Sequence, residues 1–597
     1  MTIHSCKSVF ANLAFAASMA AAGIPDAMHP DFDMKEVPLA DKYKAMGMGF
    51  LSDGRMVLAT TEVIGGGEVP PASAANKLYV ISNMGGATAA DIKMKEVANN
   101  WKQMVGVTIV DDKIYVSDRD GFYKIVDIES NTLDLANNRQ KIASWPDENK
   151  WKNGFSWHQF VFTPIFLNGS FYAPYSGSIR PGGPSDAPAS TAFSGAFLKW
   201  DLTGKLEKFA GGLRSPNGAN VAPNGDMFVA DNQGAWLPSS TFMHMKQGMF
   251  YGHRQSPTRD TAGNITVNNA PNWAEGLPYE RPTAWLDHGT LRASPSQPIY
   301  MTKGRYVGDW LLGDVNNPGL VRIALDDVQG TYNGAVFWFA KGMGISAINR
   351  MAWGTDGSLY VGTIMKIAGN WPAGDKAPLY RVTPKTTATT FDMRAVRHLA
   401  DGVEIIFTDP VDPASIAGAN FSVTQWHYTR QEGYGLGKGS SEPRTVSATE
   451  LSADGRRVHL KIAGLKDDYV TYFKLTNVKA ATGGAAVWNN ECWFTLNKLS
   501  TRTWDATVSI ADEAPKSVKL ESLVRQRVSG AGLEVSVAGE GNHAFSLITL
   551  NGARIRSASS VGQGTVVLPT AGLAKGLYLL EVRQGAQTLV RPVSLSW

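Results

Sequence analysis

Residues 213–236 read LRSPNGANVAPNGDMFVADNQGAW, and their middle decides the architecture. VAPNGDMFVAD is an apolar run, an Asn224-Gly225 turn and a second apolar run. Asn-Gly between alternating runs is a strong hairpin signal, because tight hairpins need φ > 0 in the turn. The flanks differ in character. Arg214, Asn217, Asp231 and Asn232 stand at the ends of those strands, where a hydrophobic core has no use for them.

The same sentence recurs along the chain. MGFLSDGRMVLAT, GVTIVDDKIYVSD, FTPIFLNGSFYAP, IYMTKGRYVGDWLLGD and MAWGTDGSLYVGT share its form, with turns at Asp53-Gly54, Asp111-Asp112, Asn168-Gly169, Lys303-Gly304 and Asp356-Gly357. The first four turns follow at 58, 57 and 56 residues, and the next gaps are 79 and 53. Six hairpins, one per blade of four strands, predict a six-bladed β-propeller over residues 30–385. The long gap places an insertion at roughly 235–297, and insertions in propellers tend to line the functional face. An array of β-sandwiches is the competing arrangement.

Composition agrees with a turn-rich, all-β chain: 61 Gly and 30 Pro among 597 residues. A net charge of +4, with no basic block, argues against nucleic acid as a partner. Seventeen Trp and eighteen Tyr suit sugar platforms as well as cores. The opening MTIHSCKSVFANLAFAASMAAAG has one Lys, an apolar Ala-rich run and small residues, the pattern of a secretory signal peptide over 1–25. Cleavage there removes Cys6 and leaves Cys492 without a disulfide partner. The apolar run is too short and alanine-rich for a membrane anchor, so no integral span is expected in the mature chain. Short alternating strands after residue 385 predict an Ig-like β-sandwich at 388–498, then a linker at 499–535. A small C-terminal β-sandwich over 536–597 turns at Asn551-Gly552.

LITLNGARIRS and LPTAGLAKGLYLLEVRQG resemble the sorting domain of type IX secretion. That resemblance implies export through the periplasm to the outside of a Gram-negative-type cell, secreted or surface-bound, with the type IX machinery as partner. RSPNGANVAPNGDMFVADNQGAW, WHQFVFTPIFLNGSFYAP and INRMAWGTDGSLYVG resemble the glucose/sorbosone dehydrogenase group, six-bladed relatives of soluble PQQ-dependent aldose dehydrogenases. The resemblance implies sugar oxidation with PQQ as hydride acceptor and calcium beside it. His158 would be the general base, a role suited to an imidazole near neutral pH. Arg214 and Asn217 would act with it and, with Arg350 and Lys341, form a positive wall for the quinone. Asp231 and Asn232 offer hard oxygens for calcium. Electrons would pass to an external acceptor, since the chain has no C-x-x-C-H for haem.

The chain departs from the group at Gln159-Phe160, where two glycines usually follow the His. Phe160 either closes the cofactor slot or turns into its blade. His158 reads equally as a blade-edge hydrogen-bonding residue, and Asn217 as a turn cap. In the insertion, His253, Arg254, Asp287, His288 and Arg292 lie on turn-rich text, and His253, Arg254, His288 and Arg292 join Trp236 as candidate substrate contacts. Three readings stay open: a PQQ sugar dehydrogenase, a non-catalytic carbohydrate-binding or adhesion protein, and a non-oxidative polysaccharide-active enzyme.

Overall fold

The computed structural model describes residues 28–41, 43–62, 72–146, 159–177, 191–254, 279–341, 345, 347–364, 377–431, 433–435, 437–509, 524–530, 532–537, 542–550, 553–561, 564–584 and 587–595, with the backbone of 258–259 and 265–267. The expected signal peptide and His158 lie outside them.

The chain is all-β, and its first two thirds form the expected six-bladed ring. Each blade is a four-stranded antiparallel sheet whose first strand faces the axis. Those inner strands are Ala45–Phe50, Gly106–Val110, Ile165–Leu167, Ala219–Val221, Ile299–Tyr300 and Ile348–Trp353. The turn chemistry explains the beat. Asp111 and Asp112 take φ of 49° and 57°, and Asn168 and Gly169 take 49° and 79°, the left-handed values that a two-residue hairpin requires. The fifth hairpin is looser: its second strand, Trp310–Leu312, begins well beyond Lys303-Gly304.

Blade 6 is completed by the other end of the chain. Phe32–Glu36 pairs antiparallel with Leu379–Pro384, Phe32 opposite Pro384 and Glu36 opposite Tyr380. Just before this strand, Asp31 accepts from the backbone N–H groups of Thr389 and Thr390 and from the Thr390 hydroxyl. His29, Tyr306 and Asp392 form a buried cluster beside it, the Tyr306 hydroxyl lying 2.8 Å from His29 Nε2 and 2.7 Å from Asp392. The extra length of the fourth gap falls inside blade 4, between Ser240–Met245 and its outermost strand Ala284–Leu286.

The sandwich shares a sheet with the ring. The outer strand of blade 5, Thr331–Lys341, pairs with Glu491–Leu496, so blade 5 runs on into an eight-stranded sheet. The second sandwich sheet comprises Met393–Leu399, Gly402–Phe407, Arg457–Ile462 and Val446–Leu451. Ala324, Ala335 and Phe337 of blade 5 pack into its core with Val403, Ile405 and Phe473. An outermost blade strand that would otherwise be a bare edge is thereby paired. The expected linker at 499–535 is corrected at both ends. Trp504 stacks on His459, and Arg457 donates to the Asp505 carbonyl, so this stretch lies on the sandwich. Val524–Ser529 and Gly532–Val537 are strands of the C-terminal module, paired with each other and then with Gly564–Leu568. Polar composition hid them, because a strand in a small module buries only one face.

Burial alone would raise the Asp31 carboxyl, yet the Thr390 and Thr389 hydrogen bonds and the nearby His29 hold it below its ordinary 3.8. A carboxylate lowered in the fold stabilises above its unfolded value, and that stabilisation is lost as pH falls through the folded one. Asp31→Ala is therefore expected to cost about 2 kcal/mol at pH 7. The deficit should shrink below pH 3.8, as followed by urea denaturation across pH.

Candidate functional site

All six hairpin turns lie on one side of the ring, so the ends of the second strands and the segments entering the inner strands meet on the other. There one device repeats. The second strands of blades 2 and 4 end in Asp118 and Asp231, and Asp314 follows two residues after that of blade 5, each buried. Asp231 accepts from the backbone N–H of Arg214, Ser215 and Asn232 at 2.7, 2.7 and 2.8 Å. Asp314 does the same for Ala293, Ser294, Asn316 and Asn317, and Asp118 for Lys102 and Gln103. Burial pushes all three carboxyls upward, while the backbone donors pull them down. These aspartates fasten the segment that enters each inner strand.

Asp231 and Asn232, expected as calcium oxygens, are placed by this device. Both oxygens of Asp231 are engaged by backbone donors. Asn232 turns its amide nitrogen to Ser294, 3.4 Å away, and its buried Oδ1 has no hydrogen-bond partner among the described residues. Among those residues no three His, Cys, Asp or Glu side chains gather as a metal group.

At the axis stands Arg350. Its Nε donates to the Met46 carbonyl at 3.0 Å and its Nη2 to the Val105 carbonyl at 2.7 Å. Its Nη1 meets the Asn217 carbonyl and Oδ1 and both oxygens of Asn349, at 2.8–3.2 Å. Asn217 Nδ2 donates to Asn349 Oδ1, and Asn349 Nδ2 to the Ala45 carbonyl. One guanidinium thus ties blades 1, 2 and 6 to the segment entering blade 4. Burial lowers its pKa to about 9, leaving it charged at neutral pH. Around it Met46, Val105, Phe160, Phe162, Val315, Ala347 and Ile364 form one apolar cluster.

That arrangement answers the Phe160 question. Phe160 is 3% exposed inside the axial cluster, under the Arg119 guanidinium at 4.2 Å. Gln159 turns into blade 3 and donates to Ser194 at 2.8 Å. A flat, anionic quinone needs open space and free donors. Here Arg350 is engaged through Nε, Nη1 and Nη2 by the chain's own oxygens, and aromatic and aliphatic side chains pack around it. The described residues at the axis do not fit PQQ.

The remaining candidates scatter. Lys341 ends the outermost strand of blade 5, its Nζ 5.7 Å from the Trp338 ring, and does not join Arg350. Arg292 is fully buried over the same ring at 5.2 Å, with one long bond to the Asn317 carbonyl. Its Nε and Nη2 lack partners among the described residues, and burial lowers it to about 10. His288 is exposed on a turn. The adjacent Asp287 is buried and accepts from Tyr428 and Lys438 of the sandwich.

Arg214, His253, Arg254 and Trp236 do converge, at the corner of blade 4. His253 Nδ1 lies 3.1 Å from the Ala235 carbonyl, and the Arg254 guanidinium sits 4.9 Å over the Trp236 ring. Sequence reasoning missed the other half of this corner, a sandwich loop laid across it. Trp236 N–H donates to the Gln431 carbonyl, Arg430 to the Trp236 carbonyl, and Gly435 N–H to the Gly234 carbonyl. Tyr434 stands 5.3 Å from the Arg214 guanidinium, its hydroxyl 3.4 Å from Gln233 Nε2. A Cβ on Gly234 would overlap Arg214, so this close approach requires glycine. Trp236 takes φ = 64°, a conformation that a bulky residue holds only where its surroundings enforce it. The signal for this half was the Tyr- and Gly-rich text of QWHYTRQEGYG.

Arg350→Met would leave the Met46 and Val105 carbonyls buried without donors. It is expected to cost about 3 kcal/mol or more in urea denaturation.

No family model matches the chain, and no curated protein matches it. Solved structures similar to it include a glucose dehydrogenase-type oxidoreductase from Thermus thermophilus, 14% identical over 59% of this chain and 99% of that one, TM-score 0.39. A PQQ-bound aldose sugar dehydrogenase from Streptomyces coelicolor is 13% identical over 60% and 99%, TM-score 0.40. The holo PQQ domain of pyranose dehydrogenase from Coprinopsis cinerea is 12% identical over 60% and 98%, TM-score 0.39. Likeness at this level does not bear on chemistry.

Proposed function

We propose that the protein binds carbohydrate outside the cell, through the rim of the propeller, and does not oxidise sugar at the ring axis. The observation that carries this reading is Arg350, whose donors are held by oxygens from four places around the ring. A guanidinium turned through all three nitrogens onto the chain's own oxygens has little donor capacity left for an anionic cofactor. Aromatic and guanidinium groups meet at a partly exposed place at the blade 4 corner. Support for an extracellular setting is the signal-like N-terminus and the C-terminal resemblance to a type IX sorting domain. No helix of the described residues is long and apolar enough to cross a membrane. The oxidative reading assigns PQQ, calcium, an external electron acceptor and His158 as base, and it requires the axial cluster to open.

The two readings part in one assay. The full chain is titrated with PQQ and calcium and offered a panel of aldoses with a reducible dye, while retention on immobilised polysaccharide is measured in parallel. Retention without dye reduction, unchanged in His158→Ala, is the expected result. Saturable PQQ binding with turnover that His158→Ala abolishes would overturn the proposal.

A further inference from the structure

The blade 4 corner combines features that a purely structural contact between ring and sandwich does not call for. Tyr434 is 41% exposed, its ring beside Arg214 and its hydroxyl beside Gln233. Trp236 is half-buried and held in left-handed backbone by the Gln431 and Arg430 bonds. Its tight turn is closed on itself, Gly234 and Leu237 each donating to the other's carbonyl. Two aromatic side chains, one from each domain, are thus fixed at a single place and left partly open to solvent.

Three guanidinium groups crowd this corner, and Asp468 and Asp231 act on Arg430 there. Arg214, Arg254 and Arg430 all lie against this pair of residues. Among the described residues no carboxylate pairs with Arg254. Asp231, beneath them, has both oxygens on backbone N–H groups. A guanidinium is a planar fork matched to a carboxylate, and an aromatic face suits the apolar face of a pyranose ring. Resting on the carbohydrate-binding reading above, we infer that Trp236, Tyr434 and Arg254 form a composite subsite for a carboxylated sugar, a uronate unit of a polysaccharide. Tyr434 and Trp236 stack the ring, and Arg254 takes the carboxylate. Since the sandwich supplies Tyr434, the subsite exists only while the two domains hold their shared sheet.

The test is affinity electrophoresis of the full chain through gels containing polygalacturonate, alginate or neutral dextran. The uronate polymers are expected to retard the protein more than dextran, and added salt to weaken the effect. Tyr434→Ala, at an exposed position that leaves the fold intact, and Trp236→Ala should each weaken retardation about ten-fold or more, a loss of about 1.4 kcal/mol or greater. Arg254→Gln should remove the preference for uronate while leaving residual binding. Lys205→Gln, on the hairpin face, should change nothing. Equal weakening by Lys205→Gln would assign the attraction to overall charge and overturn the subsite. Retardation by the polymers that none of the corner substitutions alters would overturn the subsite while leaving carbohydrate binding in place. No retardation by any polymer would overturn both.

Discussion

The ring depends on how Arg350 is solvated. A guanidinium carries five N–H donors and, once removed from water, needs an acceptor for each. Arg350 has no carboxylate among its partners; backbone carbonyls and two asparagine side chains take the place of water. Because those oxygens belong to different blades, the cation fixes the inner strands relative to one another at the one place where blades otherwise have no shared sheet. Asn217 and Asn349 bond to each other as well as to the cation, so the polar axis is a network and not a set of separate contacts. The apolar cluster of Met46, Phe160 and Phe162 then excludes water and strengthens those bonds.

A second constraint acts farther out. Each inner strand is entered from a segment that would fray without an acceptor for its N–H groups, and the buried aspartates provide it in blades 2, 4 and 5. The sandwich fixes the outside. Pairing of Gly334, Ala335 and Val336 with Thr495, Phe494 and Trp493 makes one sheet of blade and sandwich. Trp285, Trp338, Trp426 and Trp493 pack across the junction in one cluster. Much of the chain's tryptophan content therefore has a structural explanation, and Asp287 with Tyr428 and Lys438 adds a polar clasp at its border.

The six-fold beat was legible because the turns are chemically conspicuous: Asp111-Asp112 and Asn168-Gly169 carry their left-handed geometry in their residue types. Ring closure by Phe32–Glu36 was not legible, since a lone FDMKE strand declares no partner at the far end of the ring. Nor was the shared sheet, because a strand that pairs on one edge reads the same as one that pairs on both. Asp231 reads alike as turn, ligand or clamp until its burial is known. The clue lay in the repeat itself, KIYVSD, MFVAD and WLLGD each closing on an Asp at or just past the strand's end. Arg350 was found as a cation facing the correct end, but its acceptors are backbone carbonyls, which no sequence pattern displays.

These constraints decide where function can reside. At the axis, Arg350 and its aromatic and aliphatic neighbours form a packed polar network. The rim of blade 4 is the opposite case. There Trp236 is held in an unfavourable backbone conformation by bonds that come from another domain. Strain of that kind persists only where the surrounding structure over-determines it, and it serves no packing purpose for a ring half open to water. The polar corners of LRSPNGANVAPNGDMFVADNQGAW thus divide: Asn217 belongs to the axis and Asp231 to the clamp, while Arg214 and Trp236 face the sandwich loop. The fusion of ring and sandwich brings Tyr434 of the sandwich loop to the same corner as Trp236 and Arg254 of blade 4, which neither domain could do alone.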